Sequence, residues 1–372
     1  MSRAVLDDSL LADPRALAAL DTGGVLRSVA TAGAQVRSAA HGAAEAGVPG
    51  LRGHRPRALV LVRRPGTSGA AAELLTALLG PACPVPVVSA DDVPYWVGPL
   101  DVVWAHTADG DDEELADGVA RAVRRGAEVV VSGPDDGPVA AAGAGRVHLV
   151  EPRIPVPPGL DLPRALAVGL ATVAALQLLP GFAEDDLDAL ADRLDAEAER
   201  NQPGTEPFVN PAKALALRLD GHTPLLWGLD AAAAAVATHG RAALANHAGV
   251  VAHADEIGRA ARAAGLRRAL DLAARERDIF HDPFADLEDG GLPDPAALPP
   301  RLVLLSTGDD DPGQVALRRT GRGWPSGDVL HPVDEIPRGT RHAVLLRAAV
   351  LASRLDAAAV YLGLATRTIE PA

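Results

Sequence analysis

The sequence predicts an α/β protein of two domains, each a parallel sheet flanked by helices. Three observations carry this expectation. Short apolar, β-branched runs alternate with helical stretches from Arg57 onward, the pattern of a parallel sheet covered on both faces. The same rhythm returns, more loosely, in the second half of the chain. Finally, 372 residues with 48% hydrophobic content exceed what one core serves, about 250 to 300 residues.

Leu10 to Ala46 has helical periodicity broken at Gly23-Gly24 and near Gly47, and reads as one or two packing helices ahead of the first sheet. Ala58-Leu59-Val60-Leu61-Val62 is a strand that leads into Gly66-Thr67-Ser68-Gly69 and a helix to Leu79. Val85 to Val88 and Asp101 to Ala105 are further strands, and Leu115 to Arg125 a helix. Glu128 to Ser132 and Val147 to Val150 complete the first set. A Pro-rich passage, Pro152 to Pro163, introduces the apolar helix Arg164 to Leu179. The charge density of Glu184 to Arg200 marks an exposed amphipathic helix bridging two domains. Beyond the boundary at Gln202 to Pro207 come helix Pro211 to Leu219, strand Thr223 to Trp227, an Ala-rich helix from Ala231, strand Leu302 to Ser306 and a final helix from Arg341 to Leu364. His281 to Pro300, rich in Asp, Gly and Pro, reads as a long surface loop. The expected division is 1–55 N-terminal helices, 56–180 first sheet domain, 181–207 linker helix and 208–372 second domain. Two units of similar rhythm point to an internal duplication.

A net charge of −14 and a pI near 5.2 argue against a nucleic-acid or anionic-membrane partner, which would need a basic face. Cys83 is the only cysteine, so an intrachain disulfide and thiolate metal clusters are excluded. That usage, with no signal-like N-terminus and no uninterrupted apolar run of about 18 residues, predicts a soluble cytoplasmic protein.

The stretch Val103 to Glu114 has the layout of a phosphate loop: strand, Gly-containing turn, helix N-terminus. Such a junction presents free N–H groups and the positive end of the helix dipole to an anion. Here Asp112, Glu113 and Glu114 open the helix, so carboxylates already occupy that position; as capping residues they would do the same.

These residues resemble the second phosphate loop of sugar-isomerase (SIS) domains, S-Y-S-G-N-T-E-E-T, which lies without a gap on Thr107 to Leu115. Thr107 keeps a hydroxyl, and Gly110, Glu113 and Glu114 are retained. The second Ser and the Thr of the motif, both phosphate ligands in the family, fall on Asp109 and Asp112. More widely, the chain is similar to the bifunctional phosphoglucose/phosphomannose isomerase family, which has two SIS domains. Its first loop, G-G-S-A-I-A-G-D-L-L, lies on Gly66 to Leu75, its P-x-W-V-G on Pro94 to Gly98, and its P-R-A-A on Pro163 to Leu166. N-P-A-K-x-L-A-x-x-L-x-G lies on Asn210 to Gly221, and Y-L-A-L-L and I-D-P on Tyr361 to Ala365 and Ile369 to Pro371.

The resemblance implies two SIS-like domains, a homodimer, a sugar-phosphate ligand and no cofactor or metal. It implies that Ser68 and Thr107 bind phosphate, with Asp109 and Asp112 at the altered ligand positions, and that Arg164 stabilises an enediolate. The family's ring-opening histidine corresponds to His253, with Asp255 and Glu256 behind it. Aldose–ketose isomerisation also needs a carboxylate to move a proton between C1 and C2. The family's catalytic Glu would fall within Arg241 to Val251, where no carboxylate occurs, and its C-terminal lysine is missing, since Lys213 is the sole lysine. The expected function is therefore a diverged binding or regulatory protein with weak or no isomerisation; the alternative is an active isomerase using His247, His253 and Glu256. A metal site from His239, His247 and His253 lacks H-E-x-x-H spacing, Gly66-Thr67-Ser68-Gly69 is not a nucleophile elbow, and the first strand is not followed by G-x-G-x-x-G.

Overall fold

The computed structural model describes residues 6–183, 185–276, 298–322 and 327–369. The chain divides into a first unit, Asp21–Gln202, and a second that joins the N-terminal residues up to Leu20 to everything from Pro203. Helices α1 (Asp8–Ala12) and α2 (Pro14–Leu20) thus belong to the second unit.

The first unit opens with α3 (Val25–Ala30) and α4 (Ala32–Glu45). It continues through β1 (Ala58–Val62), α5 (Ser68–Leu79), β2 (Val87–Ala90), β3 (Asp101–His106), α6 (Glu113–Arg124), β4 (Glu128–Ser132), α7 (Gly137–Ala142), β5 (His148–Val150), α8 (Leu162–Ala175) and α9 (Asp185–Arg200). Its strands are all parallel, in the order β2-β1-β3-β4-β5. Every residue of β1 and β3 is buried, because the pleat sends alternate side chains to two covered faces. Val60, Val62, Val103, Ala105, Val129 and Val131 pack with Leu115, Val119 and Val123 of α6. On the other face α5 packs on β1 and β2, and α8 on β3 and β4.

Two sequence expectations change here. The apolar helix starts at Leu162 and buries itself against α4 and α5; Gly169 permits the approach, since a Cβ there would overlap Leu75 Cδ1. Its apolarity is therefore satisfied within one subunit. The charged helix α9, read as a bridge, lies along α4 in the same unit, where Asp192 and Asp195 each pair with Arg37 at 2.6 Å.

The second unit contains α10 (Pro211–Leu219), β6 (Thr223–Gly228), α11 (Ala231–Ala248), β7 (His253–Glu256), α12 (Ile257–Ala260), α13 (Ala264–Glu276), β8 (Pro300–Leu305), α14 (Pro312–Thr320), β9 (Asp328–Leu330) and α15 (Ala343–Ala365). Its sheet is parallel with order β7-β6-β8-β9. Counted from its own first strand this is 2-1-3-4, the winding of the first four strands of the other sheet. Most of the loop expected over His281 to Pro300 lies outside the described residues, and Pro300 itself begins β8. The long helix α15 lies against α10 and α11. Gly363 makes that contact possible, because a Cβ would overlap the His247 carbonyl.

Lys213 fixes the N-terminal residues to this unit. Its buried ammonium donates all three protons to backbone carbonyls, of Leu11 at 2.7 Å, Pro203 at 2.7 Å and Thr205 at 2.9 Å. It also sits 5.4 Å from the centre of the Tyr361 ring. Asn210 caps α10 by accepting the Lys213 N–H at 2.9 Å. Burial lowers the Lys213 pKa, and burial raises that of Tyr361 despite a hydrogen bond with Asn210. The Asn-Pro-Ala-Lys and Tyr-Leu segments singled out in the sequence thus meet in a structural joint. Among the described residues no helix is long and apolar enough to cross a membrane.

Candidate functional site

In a sheet ordered 2-1-3-4-5 the helices after the first and third strands leave on opposite faces, and the crevice between them at the strand C-termini is where ligands bind. In the first unit that crevice lies between residues 63–68, after β1, and 107–112, after β3. Ser68, Thr107, Asp109 and Asp112 all belong to these two loops.

The first loop turns at Gly66, whose φ of +96° suits glycine. Thr67 stands at the N-cap of α5, yet no side chain caps the helix. The first backbone bond of α5 runs from the Ala71 N–H to the Thr67 carbonyl, so the amides of Ser68, Gly69 and Ala70 precede the ladder. A Cβ at Gly69 would meet nothing within 4 Å, so the helix end is open. Ser68 is fully buried and its hydroxyl donates to the Val62 carbonyl at 3.0 Å. It is the first helical residue of α5.

The second loop is closed. Thr107 is buried, its hydroxyl donating to the Asp109 carbonyl at 3.1 Å while accepting the Asp109 N–H at 3.0 Å. Asp109 is exposed and accepts the Asp111 N–H at 2.9 Å. Asp112 caps α6, accepting the Leu115 N–H at 3.0 Å. Arg64, from the first loop, grips both Asp112 oxygens at 2.7 and 2.8 Å, and reaches Glu114 at 2.9 Å and the Asp91 carbonyl at 2.8 Å. The Arg64 and Asp112 side chains are only 11% and 9% exposed, and Asp112 raises the guanidinium pKa. A carboxylate and an arginine thus occupy the place where a phosphate would meet this helix end.

Beneath the crevice lies a buried polar network that sequence reasoning missed. Asp161, just before α8, accepts from the Thr67 hydroxyl at 2.8 Å and from Arg164 at 3.1 Å, and is joined to His106 Nε2 at 2.9 Å. His106 Nδ1 meets the Ser132 hydroxyl at 3.0 Å. Burial acts to raise the Asp161 pKa, but His106, Arg164 and Thr67 outweigh it and hold the carboxyl well below the usual range. Burial lowers the Arg164 pKa, with Asp161 opposing, and Arg164 Nε is buried without a partner. Arg164 is therefore directed at an internal carboxylate. A Ser-His-Asp chain so enclosed serves to hold the first loop, the ends of β3 and β4 and the start of α8 in one geometry. The signal available in sequence was a histidine at the end of a strand and an aspartate before Leu162-Pro163-Arg164.

His253 belongs to the second unit and lies on the edge strand β7, with its Nδ1 accepting from Trp227 Nε1 at 3.2 Å. Asp255 and Glu256 are held by Arg259 and Arg319 at 2.8 and 3.1 Å. His239 pairs with Asp356 at 2.7 Å. His247 is buried with an unpartnered Nε2, and burial lowers its pKa. Among the described residues no group of three or more His, Cys, Asp or Glu side chains could hold a metal ion. At the corresponding β6/β8 crevice, Asp230 caps α11 at 2.9 Å and takes both the N–H and the hydroxyl of Thr307, at 2.9 and 2.6 Å.

No family model and no curated protein matches the sequence. Among solved structures, a candidate phosphosugar isomerase from Silicibacter pomeroyi is 17% identical with a TM-score of 0.58, the match covering 94% of this chain and 99% of that one. A candidate phosphosugar isomerase from Bacillus subtilis is 15% identical, TM-score 0.54, over 89% of this chain and 95% of that one. A candidate tagatose-6-phosphate ketose/aldose isomerase from Clostridium novyi is 11% identical, TM-score 0.55, over 91% and 88%. At such identities the likeness speaks for the fold: two parallel sheets flanked by helices, of the SIS type seen in phosphosugar isomerases.

Proposed function

We propose that this chain is a sugar-phosphate-related SIS protein that binds a ligand in a regulatory or sensing role, with weak or no aldose–ketose isomerisation. The observation that carries the reading is the Arg64–Asp112 clasp across the first unit's crevice. A phosphate oxygen brought within about 4 Å of the Asp112 carboxylate would meet a repulsion of about 4 kcal/mol per charge pair at an effective dielectric near 20, offset by Arg64 only as far as that guanidinium is released from Asp112 and Glu114. The open α5 end at Ser68 to Ala70 remains available to an anionic group. The missing proton-transfer carboxylate in Arg241 to Ala254 supports the same reading. The segments quoted above support the bifunctional phosphoglucose/phosphomannose isomerases as a functional template, with a cytoplasmic homodimer as the expected form.

A second reading, an active isomerase using His247 or His253 and Glu256 as substitute groups, draws on His247, whose lowered pKa and unpartnered Nε2 suit a neutral base. Calorimetric titration with glucose 6-phosphate, mannose 6-phosphate, fructose 6-phosphate and inorganic phosphate, beside a coupled isomerase assay, separates the two. Background turnover with weak phosphosugar binding, carried by the open α5 end alone, supports the first. Robust turnover establishes the second, and no binding of any of the four removes the phosphosugar reading. Sedimentation at micromolar concentration tests the dimer.

A further inference from the structure

The N-terminal end of the first sheet carries chemistry opposite to the rest of the chain. Because the strands are parallel, the segments that precede β1, β3 and β4 all lie at this end, away from the crevice. They bring Arg55 and Arg57, then Tyr95 and Trp96, then Arg124 and Arg125 together. The contacts are direct. Arg57 lies 5.4 Å over the Trp96 ring and donates to the Trp96 carbonyl at 3.3 Å. Arg121 lies 4.3 Å over the Tyr95 ring, and Arg125 donates to the Val97 carbonyl at 2.6 Å.

Tyr95 is 76% exposed, Trp96 44% and nearby Leu100 66%. Exposed aromatics of this size beside arginines have the composition of an interface hot spot. The dipole at the C-terminus of α6 accounts for Arg121 and Arg124 alone; it does not account for Arg55 or for the two uncovered rings. Arg57 is neutralised by Asp101, gripped at 3.0 and 2.6 Å, and Arg121 by Asp92 at 3.0 Å. Arg55 and Arg124 are exposed and have no carboxylate partner among the described residues, and Arg125 spends its contact on a carbonyl.

We infer that this face docks an acidic segment of a partner protein, its carboxylates meeting Arg55, Arg124 and Arg125 and its apolar groups covering Tyr95 and Trp96. The bidentate grip of Arg57 on Asp101 is the same chemistry within the chain. One face of each ring is already taken by a guanidinium, and the overall charge of −14 repels a long polyanion. Both favour a short acidic stretch of polypeptide over a nucleic acid.

The test uses the full chain and a fluorescein-labelled oligoglutamate peptide carrying interspersed leucines, followed by anisotropy, with labelled oligouridylate in parallel. Wild type binds the peptide in a salt-sensitive manner. Arg55→Glu/Arg124→Glu, two exposed substitutions, weakens binding at least about tenfold, equivalent to about 1.4 kcal/mol. An emission change on binding of the unlabelled peptide that disappears in Trp96→Phe, which keeps the other three tryptophans, assigns the contact. Unaltered binding by the double variant overturns the proposal, as does preferential binding of oligouridylate. Self-association of wild type that the double variant abolishes replaces the acidic partner by a second copy.

Discussion

Replacing Asp112 by Thr separates the three jobs that Asp112 performs. The threonine hydroxyl can still accept the Leu115 N–H, so the cap of α6 survives with a change of a few tenths of a kcal/mol, about the Asp-to-Thr difference at such positions. The bidentate pair with Arg64 does not survive. Removing one partner of a buried pair costs about 3–5 kcal/mol; here Glu114 and the Asp91 carbonyl still hold Arg64 at 2.9 and 2.8 Å, which reduces the expected loss to roughly 2–3 kcal/mol. The variant also faces the crevice with a guanidinium in search of an anion and a helix end without a fixed charge. Urea denaturation of wild type and Asp112→Thr, with and without inorganic phosphate, reads both consequences. Without phosphate the variant's midpoint falls. With phosphate at about one hundred times its dissociation constant the variant regains about 2.7 kcal/mol, while wild type barely responds. Equal stability of the two proteins, or equal rescue of both by phosphate, refutes the clasp as the feature that closes this site.

Asp161→Asn should cost about 1.5–3 kcal/mol, since it removes the charged acceptor shared by Thr67, His106 and Arg164. The Asp161 pKa is depressed on folding, so its contribution is complete above the unfolded value of 3.8 and is lost as pH falls below it; wild type should therefore lose stability more steeply than the variant when titrated below about pH 4. Lys213→Met leaves three carbonyls without their donor and should cost about 2–4 kcal/mol, with hydrogen exchange rising first in residues 8–20. His253→Ala should leave any residual isomerase signal unchanged, and a tenfold fall in kcat would return this histidine to a catalytic role.

The legible parts of the fold were those fixed by local pattern. Ala58–Val62 is apolar throughout, Glu128–Ser132 has three consecutive valines at its centre, and Pro211–Leu219 has Asn at its cap and Pro at its first turn. The strand His253–Glu256 was illegible because His-Ala-Asp-Glu has no strand pattern of its own; pairing with Leu225–Gly228 at the sheet edge imposes it. At the site, the resemblance to the second phosphate loop put Asp112 at a ligand position of that family, but gave no sign that Arg64, forty-eight residues earlier, closes on it. Asp161 was invisible for a similar reason: its partners Thr67 and His106 are 94 and 55 residues away, and only the winding of the sheet brings them within reach.

The joint at Lys213 bears on the order in which the chain is made. Leu11 leaves the ribosome 202 residues before the ammonium that holds it, an interval of roughly 10–40 s at ordinary rates of synthesis of about 5–20 residues per second. The unit Asp21–Gln202 can be complete by then, whereas α1 and α2, with Leu11 and Leu17 fully buried in the finished protein, have no partner yet. During that interval these residues are exposed to chaperones and proteases. A truncated version beginning at Pro203 would reverse the problem, leaving Lys213 without its Leu11 acceptor, so the second unit should be expressed with residues 6–20 supplied, either fused through a circular permutation or added as a peptide.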